Sequence, residues 1–425
     1  MTPEIGWLND PVGGLVHDGR YHLFFQSVPD GTRWRPDCRW AHLVGDDLVR
    51  WRQLPAALEP GEGDDGVWSG SAVRDVGGPV LVYTSVAGAD LDRGRIALAR
   101  PLDAGLVRWR KDGVVLRAPG DPEVVAFRDP YVWGRPGEWR MVVGAGLRGR
   151  GGAVLAYRSR DLRSWLADGV LAAAGGLGDI WECPQYVDLD GPALIVSVWD
   201  AGRLDRVVAG RGSEVDGRFR PEPWRTVGYG GSAYALTTYR DRAGRLAGTA
   251  WLRSAVPDPP GWAGMLSLPV LLSAGPDGGV SVAPHPDIDT LRGPPLPVHG
   301  GRCELDGVAD LEVELRPGAR LRLDPALDIV RAPAGIAAGA ARVPTRSDRL
   351  RVVVDRGVVE AWTGDGRWLA LRLPHRVVRS AAVLGGGRLT AWPLDAGSAA
   401  PGQASGPGRR RLGARVPGRS GEDLP

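Results

Sequence analysis

The sequence repeats a short unit five times, and this repetition limits the folds open to the chain more than any other feature. The first copy contains a polar pair, Asn9 and Asp10, then an apolar run, a turn at Asp18 and Gly19, and a second apolar run ending near Phe25. Short apolar runs between Gly, Pro and Asp turns are typical of β-hairpins. The copies follow one another at steps of 58, 61, 53 and 52 residues, counted on Asp10, Trp68, Asp129, Glu182 and Tyr234.

A second marker has a similar period. Three Leu-x-x-Trp segments end at Trp51, Trp109 and Trp165, at steps of 58 and 56 residues. A repeat of this length, built from short strands, indicates a β-propeller with about four strands in each blade. We therefore predict an all-β protein, with a five-bladed β-propeller followed by a small β-sandwich.

The chain after the repeats predicts the second, smaller domain. A proline-rich stretch at 294–297 indicates a linker, and apolar alternation at Leu311, Val313 and Leu315 indicates half-buried strands beyond it. We expect the sandwich to support the propeller rather than to take part in catalysis. The predicted divisions are a propeller at 1–293, a linker at 294–297, a sandwich at 298–396 and a disordered basic tail at 397–425.

The propeller geometry turns the repeat into a candidate site. The innermost strands of a propeller line a central channel, so equivalent positions near their starts converge at one end of the axis. This convergence would bring together the carboxylates of Asp10, Asp129 and Glu182, with Trp68 or Ser69 and Tyr234 completing the ring. Each carboxylate alone is compatible with a turn or a cap, whereas three at equivalent positions favour a site.

Three carboxylates in one pocket have an electrostatic consequence. Two unit charges about 5 Å apart at an effective dielectric of about 20 repel by roughly 3 kcal/mol, or about two pKa units. One carboxyl should therefore keep its proton near neutral pH while a neighbour is ionised. A retaining glycosidase needs such an acid and nucleophile, with the two carboxyl groups roughly 5–5.5 Å apart.

Six motifs also carry a resemblance to a known family. In order and spacing they resemble the motifs of glycoside hydrolase family 32, the invertases, inulinases and levanases that act on β-fructofuranosides. The resemblance covers roughly residues 6–395. The motifs are WLNDP at 7–11, FQ at 25–26, WAH at 40–42, WSGSA at 68–72, FRDP at 127–130 and WECP at 181–184.

This resemblance implies a retaining glycosidase that cleaves terminal β-fructofuranosyl linkages of sucrose or of inulin- or levan-type fructans. It makes Asp10 the nucleophile and Glu182 the acid and base. Asp129 would hold the fructose hydroxyls and stabilise the transition state. The further residues that it implies to bind substrate are Asn9, Gln26, Trp34, Trp68, Ser69, Arg128, Tyr234 and Trp251.

The sequence departs from the family pattern at several motif positions, and other functions therefore stay open. The alternatives are a fructosyltransferase of the same family, a related five-bladed arabinan-type hydrolase, and a non-catalytic fructan-binding propeller. The pairing of NDP with ECP speaks against the arabinan-type hydrolase, and the three intact carboxylates favour activity. The departures are Val12, Gly13, Ala41, Gln185, Ser232, Ala233 and Val270.

Charge, cysteine and histidine patterns limit the partners. The formal charge of +3 is accounted for by residues 401–425, which hold five arginines and two acids, so we predict no nucleic-acid partner. The three cysteines have no disulfide or zinc spacing, and we predict no metal and no cofactor. We interpret Cys183 as a packed pocket-wall residue rather than a nucleophile, and His42 as structural.

The ends of the chain bear on location. No apolar run is long enough to span a membrane, and the first motif begins at Trp7, which leaves no room for a signal peptide. We therefore predict a cytoplasmic protein without a membrane partner. Secretion stays open, because residues 1–6 resemble the second half of the family's lead into its first motif, as expected of a truncated gene start. The sequence leaves the preferred linkage, exo or endo action and the oligomeric state open.

Overall fold

The computed structural model describes residues 2–3, 5–253, 261–275, 277–355, 357–373 and 377–395. In these ranges the regular secondary structure is β-strand, apart from a 3₁₀ helix at Pro286–Leu291. No helix of the described ranges is long and apolar enough to cross a bilayer. The predicted basic tail at 397–425 lies outside the described residues.

Five sheets follow one another along the first two thirds of the chain. The first contains β1 (Gly6–His17), β2 (Arg20–Val28), β3 (Arg39–Gly45) and β4 (Arg52–Leu58). The second contains β5 (Gly66–Asp75), β6 (Gly78–Val86), β7 (Arg95–Pro101) and β8 (Trp109–Arg117). The third contains β9 (Val124–Arg135), β10 (Glu138–Leu147), β11 (Gly151–Ser159) and β12 (Trp165–Ala173).

The fourth and fifth sheets contain more pieces. The fourth contains β13 (Ile180–Asp188), β14 (Pro192–Asp200), β15 (Arg203–Val215), β16 (Arg218–Pro221) and β17 (Arg225–Thr226). A short strand, β18 (Gly228–Tyr229), follows. The six strands that come next in the chain are β19 (Ala233–Arg240), β20 (Leu246–Leu252), β21 (Trp262–Ala263), β22 (Met265–Leu266), β23 (Val270–Ala274) and β24 (Val280–Pro284). Of these, β21 belongs to the first sheet and the others to the fifth.

The five sheets form a closed ring. The innermost strands contact one another in the cycle β1, β5, β9, β13, β19 and back to β1. The strand β21 pairs with β1 in parallel through Trp262 and Gly6, and β22, directly after it, pairs with β20. One segment therefore ties the last sheet to the first. This arrangement is the predicted five-bladed β-propeller, in which each sheet is one blade.

Local structure agrees with the repeat seen in the sequence. Asp18 and Gly19 have φ angles of 47° and 75° and form the two-residue loop between β1 and β2, which suits the twist of a hairpin. In all three Leu-x-x-Trp segments the indole N–H donates to the leucine carbonyl oxygen, at 3.1, 2.8 and 2.9 Å for Trp51, Trp109 and Trp165. The Leu-x-x-Trp segments therefore form the same turn in three blades.

Every innermost strand contains a β-bulge at the same place. Its register against the second strand of the blade slips by one residue immediately after Asn9, Trp68, Arg128, Glu182 and Tyr234. An extra residue of this kind bends the strand and redirects its side chains. In four blades the following residue has a positive φ, namely Asp10 (20°), Asp129 (64°), Cys183 (46°) and Ala235 (49°).

The positions of the bulges change which residues of the five repeats are equivalent. Asp10 and Asp129 follow the register slip, whereas Glu182 precedes it. Glu182 is therefore equivalent to Arg128, and the residue equivalent to Asp10 in the fourth blade is Cys183. Spacing along the sequence cannot show a one-residue offset, because the blades themselves differ in length by several residues.

Two more sheets follow the 3₁₀ helix, as predicted for a β-sandwich. The strands are β25 (Arg302–Glu304), β26 (Ala309–Leu315), β27 (Arg320–Asp324), β28 (Leu327–Ala332), β29 (Gly335–Ala338), β30 (Ala341–Pro344), β31 (Arg349–Asp355), β32 (Val358–Thr363), β33 (Trp368–Arg372), β34 (Ser380–Leu384) and β35 (Gly387–Pro393). One sheet has the order β18-β33-β32-β31-β26-β35 and the other β25-β34-β27-β28-β29-β30. Leu311, Leu321 and Ile329 lie in the core between them.

The propeller and the sandwich share a second core. Trp362 and Trp368 of the sandwich pack in one apolar cluster with Leu236 and Leu272 of the fifth blade. In addition, β18 leaves the propeller part of the chain and pairs in parallel with β33. The predicted boundaries between the domains stay a prediction, and residues 228–229 belong to a sheet of the second part.

Glu360 is buried at this junction. Its Oε1 accepts a hydrogen bond from the backbone N–H of Leu268 at 2.8 Å, and its Oε2 accepts one from the Trp368 indole at 3.2 Å. Only 5% of the residue is exposed, and burial raises the pKa of the carboxyl to about 8 despite these donors. The folded protein therefore favours the protonated form, and this contribution to stability is lost as the pH rises from the unfolded pKa of about 4.5 through about 8.

We predict that Glu360→Gln removes this part of the pH dependence of stability. The amide oxygen still accepts from the N–H of Leu268, whereas the NH₂ group cannot accept from the Trp368 indole. The side chain is neutral at every pH. The melting temperature of the wild type, measured by scanning fluorimetry relative to that of the variant, should fall by at least about 2 °C between pH 5 and pH 9. Exposed Glu314→Gln is the control. A constant difference between wild type and Glu360→Gln would contradict the prediction.

Candidate active site

The three predicted carboxylates meet at the end of the propeller axis where the innermost strands begin. Asp10 Oδ2 and Asp129 Oδ2 lie 3.8 and 3.6 Å from the Cys183 thiol, and Cys183 follows Glu182 directly in β13. The charges of Asp10 and Asp129 both act on Cys183, as does that of Glu182. The bulges explain how neighbouring residues, such as Arg128 and Asp129, both face one pocket.

Asp10 is held by a set of neutral donors. Ser69 Oγ donates to Asp10 Oδ2 at 2.7 Å, and Gln26 Nε2 donates to the same oxygen at 3.1 Å. Gln26 is itself fixed, because its Oε1 accepts a hydrogen bond from the Cys38 thiol at 2.9 Å. On the other side, Asn9 is oriented by the indole of Trp7, which donates to Asn9 Oδ1 at 2.9 Å. One oxygen of Asp10 thus has a fixed direction.

Burial dominates the electrostatics of the two aspartates. It raises the pKa of Asp10 to about 6, opposed by the Ser69 hydrogen bond and helped by the charge of Glu182. Burial and then the charge of Glu182 raise the pKa of Asp129 to about 7, opposed by Arg128. The sequence predicts repulsion between charges as the cause of the raised pKa values, whereas loss of solvent is the larger cause.

Asp129 is fixed by a backbone N–H of the fourth blade and a threonine hydroxyl of the second blade. The backbone N–H of Cys183 donates to Asp129 Oδ2 at 3.0 Å. The backbone N–H of Asp129 donates to Thr84 Oγ1 at 2.8 Å, and that hydroxyl donates to the carbonyl oxygen of Ser69 at 2.9 Å. Asp129 therefore connects the second, third and fourth blades at the axis.

Glu182 has charged and polar partners instead. Arg128 Nε donates to Glu182 Oε1 and Tyr234 Oη donates to Glu182 Oε2, at 2.9 and 2.6 Å. Burial alone would lower the pKa of Arg128, but the charges of Glu182 and Asp129 outweigh it and raise that pKa. The guanidinium of Arg253 lies 5.2 Å from the centre of the Tyr234 ring, and its Nε donates to the carbonyl oxygen of Gly231 at 2.8 Å.

Aromatic rings form the walls beside the carboxylates. Trp68 contacts Trp34 edge to face, with ring centres 5.4 Å apart, and its indole donates to the Pro36 carbonyl oxygen at 2.9 Å. On the opposite side Trp251 contacts Tyr234, at 6.4 Å between ring centres. Trp34 and Trp251 thus join the site through other rings, and the remaining predicted residues join it through hydrogen bonds or strand neighbours.

The departures from the family motifs take packing roles. Gln185 Oε1 accepts hydrogen bonds from the N–H and Oγ1 of Thr238 at 2.9 and 3.0 Å, which links the fourth blade to the fifth. Ser232 and Ala233 are buried at 2% and 1% exposure, and Val270 lies in the core shared with the sandwich. None of these contacts interrupts the hydrogen bonds of the three carboxylates.

Several contributors to the site were not predicted. Thr84, Cys38 and Arg253 occur outside the motifs, and no pattern in the sequence marks them as part of the site. The role of Cys183 agrees with the prediction of a wall residue, because burial, and then the charges of Asp129 and Asp10, raise the pKa of its thiol well above its usual range. His42 is also structural, since its Nε2 lies 2.9 Å from Nδ1 of buried His22.

The site can therefore supply one aspartate, Asp10, that ionises above about pH 6 and one glutamate, Glu182, in different surroundings, with aromatic walls between blades. That combination suits acid–base and nucleophilic chemistry on a sugar. Across the described ranges, no group of three or more His, Cys, Asp or Glu side chains has the geometry to hold a metal ion.

The chain is similar in sequence to a known family and to several of its members. Residues 1–284 match the profile of the "Glycosyl hydrolases family 32 N-terminal domain". The chain is 32% identical over 368 residues to a cell wall β-fructofuranosidase of Zea mays, covering 76% of this chain and 62% of that protein. It is 33% identical over 328 residues to a sucrose-6-phosphate hydrolase of Escherichia coli, covering 69% and 65%. The chain thus spans a little less than two thirds of these relatives.

Solved structures show the same fold. A GH32 β-fructofuranosidase of Bombyx mori, in complex with sucrose, superposes with a TM-score of 0.82 at 24% identity and covers 93% of this chain and 92% of that one. A fructan 1-exohydrolase of Cichorium intybus, in complex with 1-kestose, has a TM-score of 0.76 at 21% identity and covers 93% and 96%. At these identities the likeness concerns the fold alone.

We predict that Ser69→Ala raises the pKa of Asp10 above about 6. The hydroxyl of Ser69 favours the ionised form, so its removal should increase the pKa by up to about one unit. The measurement is a pH titration of the carboxyl ¹³C signals in aspartate-labelled protein, with the Asp10 signal assigned from Asp10→Asn. Ser164→Ala, on the surface, is the control. An Asp10 pKa near 4, or the same value in wild type and Ser69→Ala, would contradict the prediction.

Proposed function

The chain belongs to glycoside hydrolase family 32, and we propose that it is a retaining glycosidase that cleaves terminal β-fructofuranosyl linkages. The proposal rests above all on one observation, the pair of carboxylates with different surroundings in one pocket. Asp10 accepts from neutral donors, Ser69 and Gln26, whereas Glu182 accepts from Arg128 and Tyr234. Two carboxylates in unlike environments are what double displacement at a sugar requires.

In the first step Asp10 is the nucleophile. Its carboxylate attacks the anomeric carbon of the fructosyl unit, the bond from that carbon to the leaving oxygen breaks, and the leaving oxygen takes a proton from Glu182. The product is a fructosyl ester of Asp10 and a free alcohol. Ser69 and Gln26 fix one oxygen of Asp10, which keeps the carboxylate in a single orientation for the attack.

In the second step Glu182 is the base. It accepts a proton from water, the water oxygen bonds to the anomeric carbon, and the ester bond to Asp10 breaks, so that the carboxylate is restored. Arg128 and Tyr234 donate to the two oxygens of Glu182 and fix the orientation of its carboxyl group in this step. Asp129, fixed on one oxygen by the N–H of Cys183, would hold the fructose hydroxyls as positive charge develops on the ring.

The substrates that we propose are sucrose and inulin- or levan-type fructans, because the relatives and neighbours include β-fructofuranosidases and a fructan exohydrolase. A fructosyltransferase would share the first step and use a sugar hydroxyl in place of water. A binding propeller without catalysis fits less well, since Gln185, one departure that suggested it, hydrogen-bonds Thr238 between blades. The cytoplasmic location stays a prediction from the sequence.

We predict that Asp10→Asn and Glu182→Gln each lower the release of fructose from sucrose by about 10³-fold or more, because each removes a group that forms or protonates a bond in the transition state. Both substitutions keep the size of the side chain, so the propeller should stay folded. The measurement is free fructose released from sucrose, 1-kestose, inulin and levan by each purified protein.

Exposed Glu138→Gln, which loses a surface carboxylate on β10, serves as the matched control and should keep the wild-type rate. Rates within tenfold of wild type in Asp10→Asn or Glu182→Gln would contradict the assigned roles. Transfer of fructose to a second sugar in place of free fructose would favour the transferase.

A further inference from the structure

Arg253 lies directly after β20, beside the tyrosine that contacts the proposed acid and base. Its backbone N–H donates to the carbonyl oxygen of Ser232 at 3.0 Å, which extends the pairing of β20 with β19 by one residue. Its guanidinium lies over the ring of Tyr234, 5.2 Å from the ring centre. Tyr234 in turn donates to Glu182 Oε2 at 2.6 Å. A single side chain therefore separates Arg253 from Glu182.

Backbone groups of two blades fix the guanidinium. Its Nε donates to the carbonyl oxygen of Gly231, just before β19 of the fifth blade, at 2.8 Å. Its Nη2 donates to the carbonyl oxygen of Asp205, in β15 of the fourth blade. Because both nitrogens belong to one planar group, the two hydrogen bonds set both its position and its tilt. The Tyr234 ring thus packs against a group that is held in one orientation.

The Tyr234 ring has a second neighbour that limits its movement. Trp251 contacts it edge to face, with ring centres 6.4 Å apart and an angle of 83° between the ring planes. Tyr234 is only 2% exposed, and burial raises the pKa of its hydroxyl well above the usual range, so the group stays protonated and donates. The attraction between a cation and an aromatic face holds the ring against Arg253. The direction of the hydroxyl therefore depends on Arg253 as well as on Trp251.

This direction bears on proton transfer by Glu182. Arg128 donates to Oε1 of Glu182 and Tyr234 donates to Oε2, so the carboxyl group is oriented at both oxygens. An acid must present its proton to the leaving oxygen within hydrogen-bond reach and in the right direction. A Tyr234 ring that can move would leave one oxygen of Glu182 without a fixed partner.

We propose that Arg253 is a positioning residue for Glu182 and acts through the ring of Tyr234. The proposal rests on the proposed function and adds a residue to its proton-transfer steps. Arg253 affects the acid and base rather than the nucleophile Asp10, because its path to the site leads through Tyr234 to Glu182.

The first test compares two substrates that differ in their need for an acid. Sucrose must receive a proton on its leaving oxygen, whereas fluoride leaves fructosyl fluoride without one. In Arg253→Met, kcat/KM for sucrose should fall by about five- to tenfold, the effect of one misplaced hydrogen bond, and kcat/KM for fructosyl fluoride should stay within about twofold of wild type. Arg253→Lys keeps the charge but not the planar fork. It should show the same selectivity with a smaller loss, and it serves if Arg253→Met does not fold.

A double-mutant cycle tests the path through Tyr234. Once Tyr234→Phe has removed the hydroxyl, adding Arg253→Met should lower kcat/KM for sucrose by less than about twofold more. Arg242→Met is the matched control. Arg242 also lies over a tyrosine ring, 5.0 Å from the ring centre of Tyr21, and donates to two backbone carbonyl oxygens of the first blade. Its loss should leave the ratio of the two kcat/KM values unchanged.

Three results would overturn the proposal: no loss for sucrose in Arg253→Met, equal losses for sucrose and fructosyl fluoride, or an undiminished loss in the Tyr234→Phe background. Absence of turnover with every fructoside in the wild type would contradict the proposed function instead. Arg253 would then be judged from the carboxyl ¹³C signal of Glu182 in glutamate-labelled protein, assigned with Glu182→Gln. A signal that moves in Arg253→Met but not in Arg242→Met would support the positioning role. The same signal in wild type and Arg253→Met would overturn it.

Discussion

The bulge in each innermost strand is the constraint on which the site depends. A regular strand turns successive side chains to opposite faces, and at the axis of a propeller it could offer only alternate residues to the pocket. The register slip lets Arg128 and Asp129 face one pocket together and places the N–H of Cys183 on Asp129. The same slip occurs in all five blades. The closed ring therefore brings the five bulges together around the axis.

Burial is the largest influence on the pKa values of the two aspartates that lie at these bulges. Asp10 and Asp129 both lose solvent, yet Asp10 keeps two neutral donors on one oxygen, and its pKa rises to about 6 against about 7 for Asp129. Glu182 forms an ion pair with Arg128. The three acidic side chains thus have different hydrogen-bonding partners in one pocket.

The sequence predicted the architecture and a group of residues that lie together at the propeller axis, but it could not predict how the blades are aligned. Period, turn chemistry and apolar alternation depend on the local chain, and they indicated five blades and a sandwich. The bulge depends on pairing with a second strand, so spacing placed Glu182 level with Asp10 when Cys183 is the equivalent residue. Thr84 joins the site through a contact between blades, and Arg253 joins it through the Tyr234 ring of its own blade; no local sequence pattern encodes either contact. The shared core of Leu236 and Trp368 was missed for the same reason.

Double displacement requires a covalent bond between the fructosyl group and Asp10, and that bond can be observed directly. Fructosyl fluoride releases its fluoride without an acid, so in Glu182→Ala the first step should proceed while the second, which needs a base, should be slow. Mass spectrometry of the digested protein should then show one fructosyl group on the peptide that contains Asp10. An adduct on another peptide, or hydrolysis with inverted anomeric configuration and no adduct, would contradict double displacement through Asp10.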